Sequence, residues 1–290
     1  MSFYDLYYDL AVQLNDTEAD NLVNTKVWVN WTLRDLANMY EFPQLYKTVT
    51  TTGSSYDFDR VKKITTGSVI SLFSDDASDI QVATVYGYEI SSGKRTYKTE
   101  DVTLTGLTTA SGAETFSFID RIELASALSG NLTVADASRT LATGIIGEEQ
   151  IGNDFKRVIK VNSSGDVKPM TLADRKLQFP NDSSINTKIY TANGSGIDIF
   201  GTVGGAVSIV YLQKHPYLIN DYDESPIIAY GGVEESDIVE CARLGWGVRY
   251  EDEQDGVLGK QSYKAKLMEI ITEIIPGGDD FRKVEFARRR

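Results

Sequence analysis

The chain has 290 residues, 41% of them hydrophobic and 24% charged, a composition typical of a folded globular protein with one or two domains. Its 42 acidic residues against 29 basic ones give a net charge of -13, which disfavours a general DNA-binding role. The single cysteine, Cys241, excludes an intramolecular disulfide, and the sequence has no Cys or His cluster for structural zinc. Because the first ten residues lack the pattern of a signal peptide and no apolar stretch of about 18 residues occurs, we expect soluble expression in a cytoplasm.

Two helices are predicted at the beginning of the chain. Residues 3–14 carry apolar side chains at three- and four-residue steps, which is the spacing of one helix face. Thr17 and Asp20 match a capping box, which predicts a second helix that ends at Phe42-Pro43.

Strands are predicted for the middle of the chain, where β-branched and aromatic residues are broken by Gly, Ser and Asp clusters. The runs within residues 67–152 indicate a small all-β sandwich and are 80–88, 101–107, 116–124 and 131–135. The runs of a second β stretch are 157–161, 188–190, 196–200 and 206–211. Asn193-Gly194 and Gly204-Gly205 are hairpin signals within that stretch.

Two more helices are predicted after the β region. Residues 233–250 have an apolar stripe that includes Ile238 and Cys241, and residues 257–275 place Leu267 and Ile271 on one face. Pro276-Gly277-Gly278 stops the last helix. Helices on both sides of a β region imply that the two ends of the chain pack together.

The sequence offers little that would support catalysis. Acyl transfer needs a general base, and the one histidine, His215, has no GxSxG elbow to partner it, so we expect an ordinary loop histidine. Cys241 is expected to be a packed core thiol. Two carboxylates could converge for glycoside hydrolysis, but the sequence singles out no pair. We therefore expect no catalytic, cofactor or metal residues, and no enzyme.

Two other motifs have plain structural interpretations. Residues 251–256 alternate carboxylates before a glycine like a calcium loop, but Ser262 stands where the loop needs a glutamate, so we expect a solvated helix–helix turn. Residues 201–205 are glycine-rich but lead into strand residues, so we expect a hairpin instead of a phosphate-binding loop.

Residues 281–290 are a basic segment in an acidic chain, and they follow the Pro-Gly-Gly stop. They are predicted to be a mobile arm that orders on a partner's surface, and a solvated, frayed segment is the alternative. The aromatic and cationic anchors of this arm are Phe281, Arg282, Phe286, Arg288, Arg289 and Arg290.

The order of elements resembles the head-to-tail adaptor family of tailed bacteriophages, also called connector or head completion proteins. The likeness lies in the helix pair and aromatic-Pro signal of residues 28–43, the strand of residues 56–61, and the strand, loop and acidic turn of residues 196–226 before the closing helical hairpin. Residues 67–152 resemble instead the Ig-like β-sandwich modules of phage structural proteins, in residues 100–106, 116–119 and 130–134.

This resemblance implies an α+β fold: a helical bundle from the N- and C-terminal segments, a small β region and an inserted all-β Ig-like sandwich. The implied domains are an adaptor core of residues 1–66 and 153–276, the insert of residues 67–152 and a C-terminal arm of residues 277–290.

The resemblance also implies a function. The chain would be a structural virion protein of the phage neck, assembled in the host cytoplasm, whose copies form a ring, a dodecamer in most of the family, between the portal protein and a tail or nozzle protein. The arm would contact the portal. Packaged DNA would pass through the channel during ejection without specific binding, and no cofactor or membrane is implied.

Two other functions stay open from the sequence. One is a β-rich tail protein that binds a host carbohydrate, which glycan binding by residues 67–152 would favour. The less favoured one is a virion-associated glycosidase. It would be favoured if the purified protein cleared a polysaccharide and substitution of one carboxylate abolished that activity.

Overall fold

The computed structural model describes residues 2–51, 55–57, 61, 64, 67–137, 139–145, 150–152, 155–163, 165–178, 188–193, 196–201, 206–229, 232–250 and 253–274. The chain divides into two compact units, one of residues 1–46 with 214–290 and the other of residues 47–213. Within the described part, none of the helices combines the length and the hydropathy that crossing a membrane requires.

The described residues form six α-helices and the strands of three sheets. The helices are α1 (Phe3–Gln13), α2 (Ala19–Met39), α3 (Leu172–Gln178), α4 (Pro226–Ala229), α5 (Glu235–Tyr250) and α6 (Glu253–Ile274). The strands are β1 (Tyr46–Thr51), β2 (Ser55–Asp57), β3 (Ser68–Ser74), β4 (Val82–Ser91), β5 (Lys94–Thr103), β6 (Ala110–Phe116), β7 (Phe118–Leu124), β8 (Leu132–Ala135), β9 (Thr140–Ile145), β10 (Gln150–Gly152), β11 (Phe155–Asn162), β12 (Asp166–Pro169), β13 (Ile189–Asn193), β14 (Gly196–Phe200) and β15 (Val207–Gln213).

The first unit is helical, and its helices come from both ends of the chain. α1 packs on α2 and α5, α2 packs on α5, and α5 packs on α6. The buried face of α1 consists of Phe3, Leu6, Tyr7, Leu10 and Ala11. At Gly245 of α5 an added Cβ would lie 3.1 Å from the Trp28 ring, so the glycine allows α2 and α5 to approach closely.

The start of α2 differs from the prediction. Helix α2 begins at Ala19 with Glu18 at its N-cap, so Thr17 does not cap it and the predicted capping box is wrong. Side-chain capping is found at α1, where the Ser2 N–H and Oγ donate to the Asp5 carboxylate at 2.9 and 2.8 Å. The Ser2 hydroxyl bond lowers the pKa of Asp5.

The second unit contains the three sheets. Its seven-stranded sheet has the order β1-β15-β11-β12-β13-β14-β2, so strands from before residue 58 form both edges. The pairing of β12 with β13 is parallel, whereas β11 with β15 and β13 with β14 are antiparallel. Residues 68–152 supply two four-stranded sheets, of order β10-β7-β4-β5 and β6-β3-β8-β9.

The two four-stranded sheets share one hydrophobic core. It includes Ile70 and Leu72 of β3, Val85 of β4, Ile122 of β7 and Val134 of β8, and each of these is fully buried. The seven-stranded sheet has a separate core, made by side chains such as Val161, Ile199 and Ile209.

The predicted fold class is wrong. The expectation was a helical bundle with a small β region beside an inserted sandwich, but the chain is mostly β and the region outside residues 68–152 alone forms a seven-stranded sheet. The reason is that β1 and β2 join strands that lie more than 100 residues later in the chain, which enlarges the sheet.

The two predicted hairpins have different outcomes. Strands β13 and β14 are antiparallel with Asn193 opposite Gly196, which confirms the first hairpin, although Gly194 itself lies outside the described residues. Residues 202–205 are also outside the described ones, but the strands on either side of them, β14 and β15, are not neighbours in the sheet. The second predicted hairpin is therefore wrong.

Candidate functional site

The loop between β15 and α4 is attached to α2 through Asn30. The fully buried Asn30 amide accepts the Leu218 N–H at 2.7 Å and donates to the Leu218 carbonyl at 2.9 Å and to the Lys26 carbonyl at 3.0 Å. A buried side-chain amide that satisfies both backbone groups of a loop residue fixes that loop on the helix.

Asp221 and Asp223 connect the same loop to α1. Their carbonyl groups accept the N–H groups of Tyr4 at 2.9 Å and Phe3 at 2.8 Å, which are otherwise unpaired at the start of a helix. The Asp221 carboxylate accepts from Lys26 at 2.8 Å and from the Tyr7 hydroxyl at 2.9 Å. The Lys26 bond lowers the pKa of Asp221, and burial together with Asp221 raises the pKa of Tyr7.

His215 and Ser225 lie at the two ends of this loop and bond to each other. The His215 Nε2 and Ser225 Oγ atoms are 2.8 Å apart, a distance that would suit a serine nucleophile and its base. However, His215 is 1% exposed and Ser225 is 3% exposed, so a substrate carbonyl has no access to the serine. The pair closes the loop on itself, and His215 is a loop residue, as expected, but a buried one.

A tyrosine surface lies on the outside of the helical unit. Tyr4 and Tyr8 are 42% and 38% exposed and stack with ring centroids 5.3 Å apart, and Val12 continues the stripe one turn later. Tyr222, which is 84% exposed, follows directly after Asp221, the residue whose carbonyl holds the Tyr4 N–H. We call Tyr4, Tyr8, Val12 and Tyr222 the tyrosine surface.

An acidic cleft of about 530 Å³ lies elsewhere on the same unit, between α1, α4 and the beginning of α5. Its apolar part consists of Ile228, Val233 and Val239, and three carboxylates line it, those of Asp9, Glu234 and Glu235. Gln13 and Ser236 also line the cleft, and among the described residues of the lining there is no lysine or arginine. The cleft therefore combines an apolar wall with negative charge.

The outer face of the β10-β7-β4-β5 sheet carries an aromatic cluster. Tyr88 lies opposite Tyr97 on β5 and opposite Phe118 on β7, and its ring centroid is 5.4 and 5.2 Å from theirs. The Arg95 guanidinium lies 5.0 Å from the Tyr88 ring centroid, within cation–π range. We call these four residues the aromatic sheet face.

In the unit formed by the two four-stranded sheets, the carboxylates of Asp75 and Asp79 accept hydrogen bonds from residues of the connecting loops. Asp79, 2% exposed, accepts from the Ser74 hydroxyl at 2.6 Å and from the N–H groups of Ser129 and Gly130 at 2.9 and 3.0 Å. Asp75 likewise accepts the N–H and the side-chain amide of Asn131. Over the part of the chain that the structure describes, no group of three His, Cys, Asp or Glu side chains is arranged to hold a metal ion.

A groove of about 870 Å³ on the second unit lies beside β11, β13 and α3. Phe155 and Tyr190 give it an aromatic lining, and Lys156 and Asp174 give it charges of both signs. Burial raises the pKa of Tyr190. The mixed lining does not select one class of ligand.

The structure does not bring the residues singled out in the sequence together in one site. All of the arm residues, 281–290, lie outside the described residues, as do Glu251 and Asp252, whereas Glu253 begins α6. Cys241 is fully buried on α5, which confirms the packed thiol, and burial raises its pKa to about 12. The tyrosine surface was missed, although its signal is present as aromatic residues at positions 4 and 8 on the side of α1 opposite Leu6 and Leu10.

Searches with the sequence found no matching family model and no matching curated protein.

Proposed function

We propose that this chain is a structural subunit of a tailed-bacteriophage particle, one copy in the adaptor ring of the neck between the portal and the tail, and that it has no catalytic role. The resemblance of residues 196–226 to the adaptor family supports the proposal. Asn30, Asp221 and Asp223 hold the loop part of that segment against α1 and α2, so the part that carries the likeness has a defined shape.

The observation that carries the proposal is the tyrosine surface. Tyrosine is enriched at protein interfaces because its ring buries a large area at low entropic cost while its hydroxyl can still find a hydrogen-bond partner. Tyr4 and Tyr8 lie on α1, and Tyr222 lies on the loop that Asp221 fixes to that helix. The surface is therefore preorganised for a partner. A ring is built from head-to-tail contacts, and the tyrosine surface supplies one side of such a contact.

The partners in this proposal are further copies of the chain, the portal protein and a tail or nozzle protein. The arm residues Phe281 to Arg290 contact the portal. The net charge of -13 favours passage of packaged DNA without adhesion, because phosphates are repelled by an acidic wall.

The test is negative-stain imaging of the purified chain with and without portal protein, and rings are expected when the portal is present. A Tyr4→Lys, Tyr8→Lys variant should form no rings, because two desolvated ammonium groups oppose burial of the surface. The matched control is Ile80→Lys, Ile90→Lys, which alters two exposed apolar residues of the other unit. Rings from the tyrosine variant, or no assembly of the wild-type chain with portal, would reject the proposal.

A second candidate function, binding of a host carbohydrate, is favoured by the aromatic sheet face. Sugars stack on aromatic rings and bond to adjacent polar groups, and Tyr88, Tyr97 and Phe118 are partly exposed beside Arg95. The full chain applied to a glycan array should then give signals that Tyr97→Ser abolishes and Tyr4→Ser preserves. An array without specific signals would remove this candidate.

A further inference from the structure

The acidic cleft of the helical unit is suited to a ligand that is both basic and apolar, because its lining is both acidic and apolar. Asp9, Glu234 and Glu235 surround an apolar wall of Ile228, Val233 and Val239. Val233 and Val239 are 4% and 2% exposed, so the wall is continuous with the core of the unit. A group that binds here must bring positive charge to the rim and apolar surface to the wall.

One segment of the chain itself has this composition. Residues 281–290 contain five basic residues and one acidic residue, a net charge of +4, within a chain whose total is -13. Phe281 and Phe286 provide two aromatic rings among these charges. The segment and the cleft are therefore complementary in charge and in apolar content.

The direction of α6 brings this segment to the correct end of the helical unit. Lys266 of α6 bonds to Asp237 and Glu240 of α5 at 2.9 and 3.1 Å, and the Cys241 thiol lies 3.9 Å from the Tyr263 carbonyl, so the two helices are antiparallel. The end of α6 is therefore on the same side as the beginning of α5, where the cleft lies.

The distances are within reach of the chain. Ile274 lies about 12 Å along the axis beyond Lys266, and Glu234 lies about 5 Å beyond Asp237 in the same direction, at 1.5 Å per helical residue. The axial part of the separation is thus about 7 Å. The six residues 275–280 can span up to about 20 Å, which leaves up to about 18 Å for the lateral step around α5, a helix about 10 Å in diameter with its side chains.

We propose that residues 281–290 bind in the acidic cleft of their own chain, with Phe281 and Phe286 against the apolar wall and the basic side chains paired with Asp9, Glu234 and Glu235. The binding is intramolecular, so it is favoured by the high effective concentration that a short link provides. The proposal concerns the single subunit and does not depend on the function proposed above.

Zero-length carbodiimide coupling of the full-length chain tests this, because it joins an amine to a carboxylate in direct contact. Lys283 is the one lysine of the segment, and coupling of Lys283 to Asp9, Glu234 or Glu235 should be the main product that mass spectrometry assigns to it. In a mixture of isotopically heavy and light chains, these products should be heavy–heavy and light–light.

The matched variants leave the reacting groups unchanged. Phe281→Ser, Phe286→Ser should lower the yield of the Lys283 products at least fivefold, whereas Phe281→Leu, Phe286→Leu should retain it. Three outcomes would overturn the proposal: no coupling of Lys283 to the cleft, equal yields from the serine and leucine variants, or mixed heavy–light products, which would make a neighbouring copy's segment the occupant. Circular dichroism of each variant verifies that the helices are intact.

Discussion

Asn30 satisfies three backbone groups of the helical unit, the Leu218 N–H and the carbonyls of Leu218 and Lys26. We expect Asn30→Ala to lower the free energy of unfolding of this unit by about 2–4 kcal/mol, since the Leu218 N–H and carbonyl would be left buried without partners. All three tryptophans, Trp28, Trp31 and Trp246, belong to this unit, so urea unfolding followed by tryptophan fluorescence measures it selectively. Asn24→Ala, an exposed position on the same helix, is the control, and an equal loss in both variants would contradict the role given to Asn30.

Asp79 should give the pair of four-stranded sheets an acid-dependent stability. Burial by itself raises the pKa of Asp79, but the bonds from Ser74, Ser129 and Gly130 outweigh it and the pKa in the folded chain is lowered. A lowered pKa contributes stability at neutral pH that is lost as the pH falls below about 4 through the folded value. Hydrogen exchange of residues 68–137, followed from pH 7 to 3, measures this loss.

The same exchange experiment on Asp79→Asn separates the carboxylate from other acid effects. The variant should be less stable at pH 7 by about 2 kcal/mol, because one amide oxygen cannot replace both carboxylate oxygens, and its stability should change less between pH 5 and 3. Asp101→Asn, on the exposed surface of β5, should keep the wild-type profile. A wild-type profile in Asp79→Asn would show that the acid dependence arises elsewhere.

At the scale of elements, the four long helices were predicted, whereas the short helices α3 and α4 and several strands were not. The period of apolar residues located α1, α5 and α6, because one face of each helix packs on its neighbours. Strands with strong alternation, such as β14, were also located. Strand β5 was predicted too late, since its first residues are polar on an exposed edge and carry no alternating pattern.

Gly87 of β4 illustrates how a single position controls the pairing of two strands. The register between β4 and β7 shifts at Tyr86 and Gly87, and a Cβ at Gly87 would collide with the Phe118 carbonyl and lie 2.9 Å from the Phe116 ring. Gly87→Ala should therefore cost about 2–3 kcal/mol, measured by thermal unfolding with near-UV circular dichroism. Gly93→Ala, which meets open space but has a φ of 77°, should cost about 1 kcal/mol. Equal costs would argue against the collision.

For the whole molecule, the sequence was least informative where distant segments meet. The seven-stranded sheet places β1 beside β15 and β2 beside β14, and such long-range pairing leaves no trace in a local pattern, so the size of the β region was underestimated. The acidic cleft was missed for the same reason, because Asp9 and Glu234 are far apart in the chain. The arm, by contrast, was predicted from composition alone, and its residues lie outside the described ones.

Together, the two proposals predict that removing the arm and neutralising the acidic cleft have opposite effects on portal binding. If residues 281–290 dock on the portal and also bind the cleft of their own chain, the cleft competes with the portal for them. Removing residues 281–290 should then weaken capture by immobilised portal at least tenfold. Asp9→Asn, Glu234→Gln, Glu235→Gln should strengthen capture several-fold, because the arm is released.

Combining the truncation with the three carboxylate substitutions shows whether the cleft competes with the portal for the arm or its carboxylates repel the portal directly. The truncated triple variant should bind portal as weakly as the truncated wild-type chain, since the cleft has then lost its ligand. Stronger capture in the truncated triple variant would mean that the cleft carboxylates repel the portal directly. Unchanged capture in both the truncated chain and the triple variant would remove the arm from portal binding, while the Lys283 coupling experiment would still decide whether it occupies the cleft.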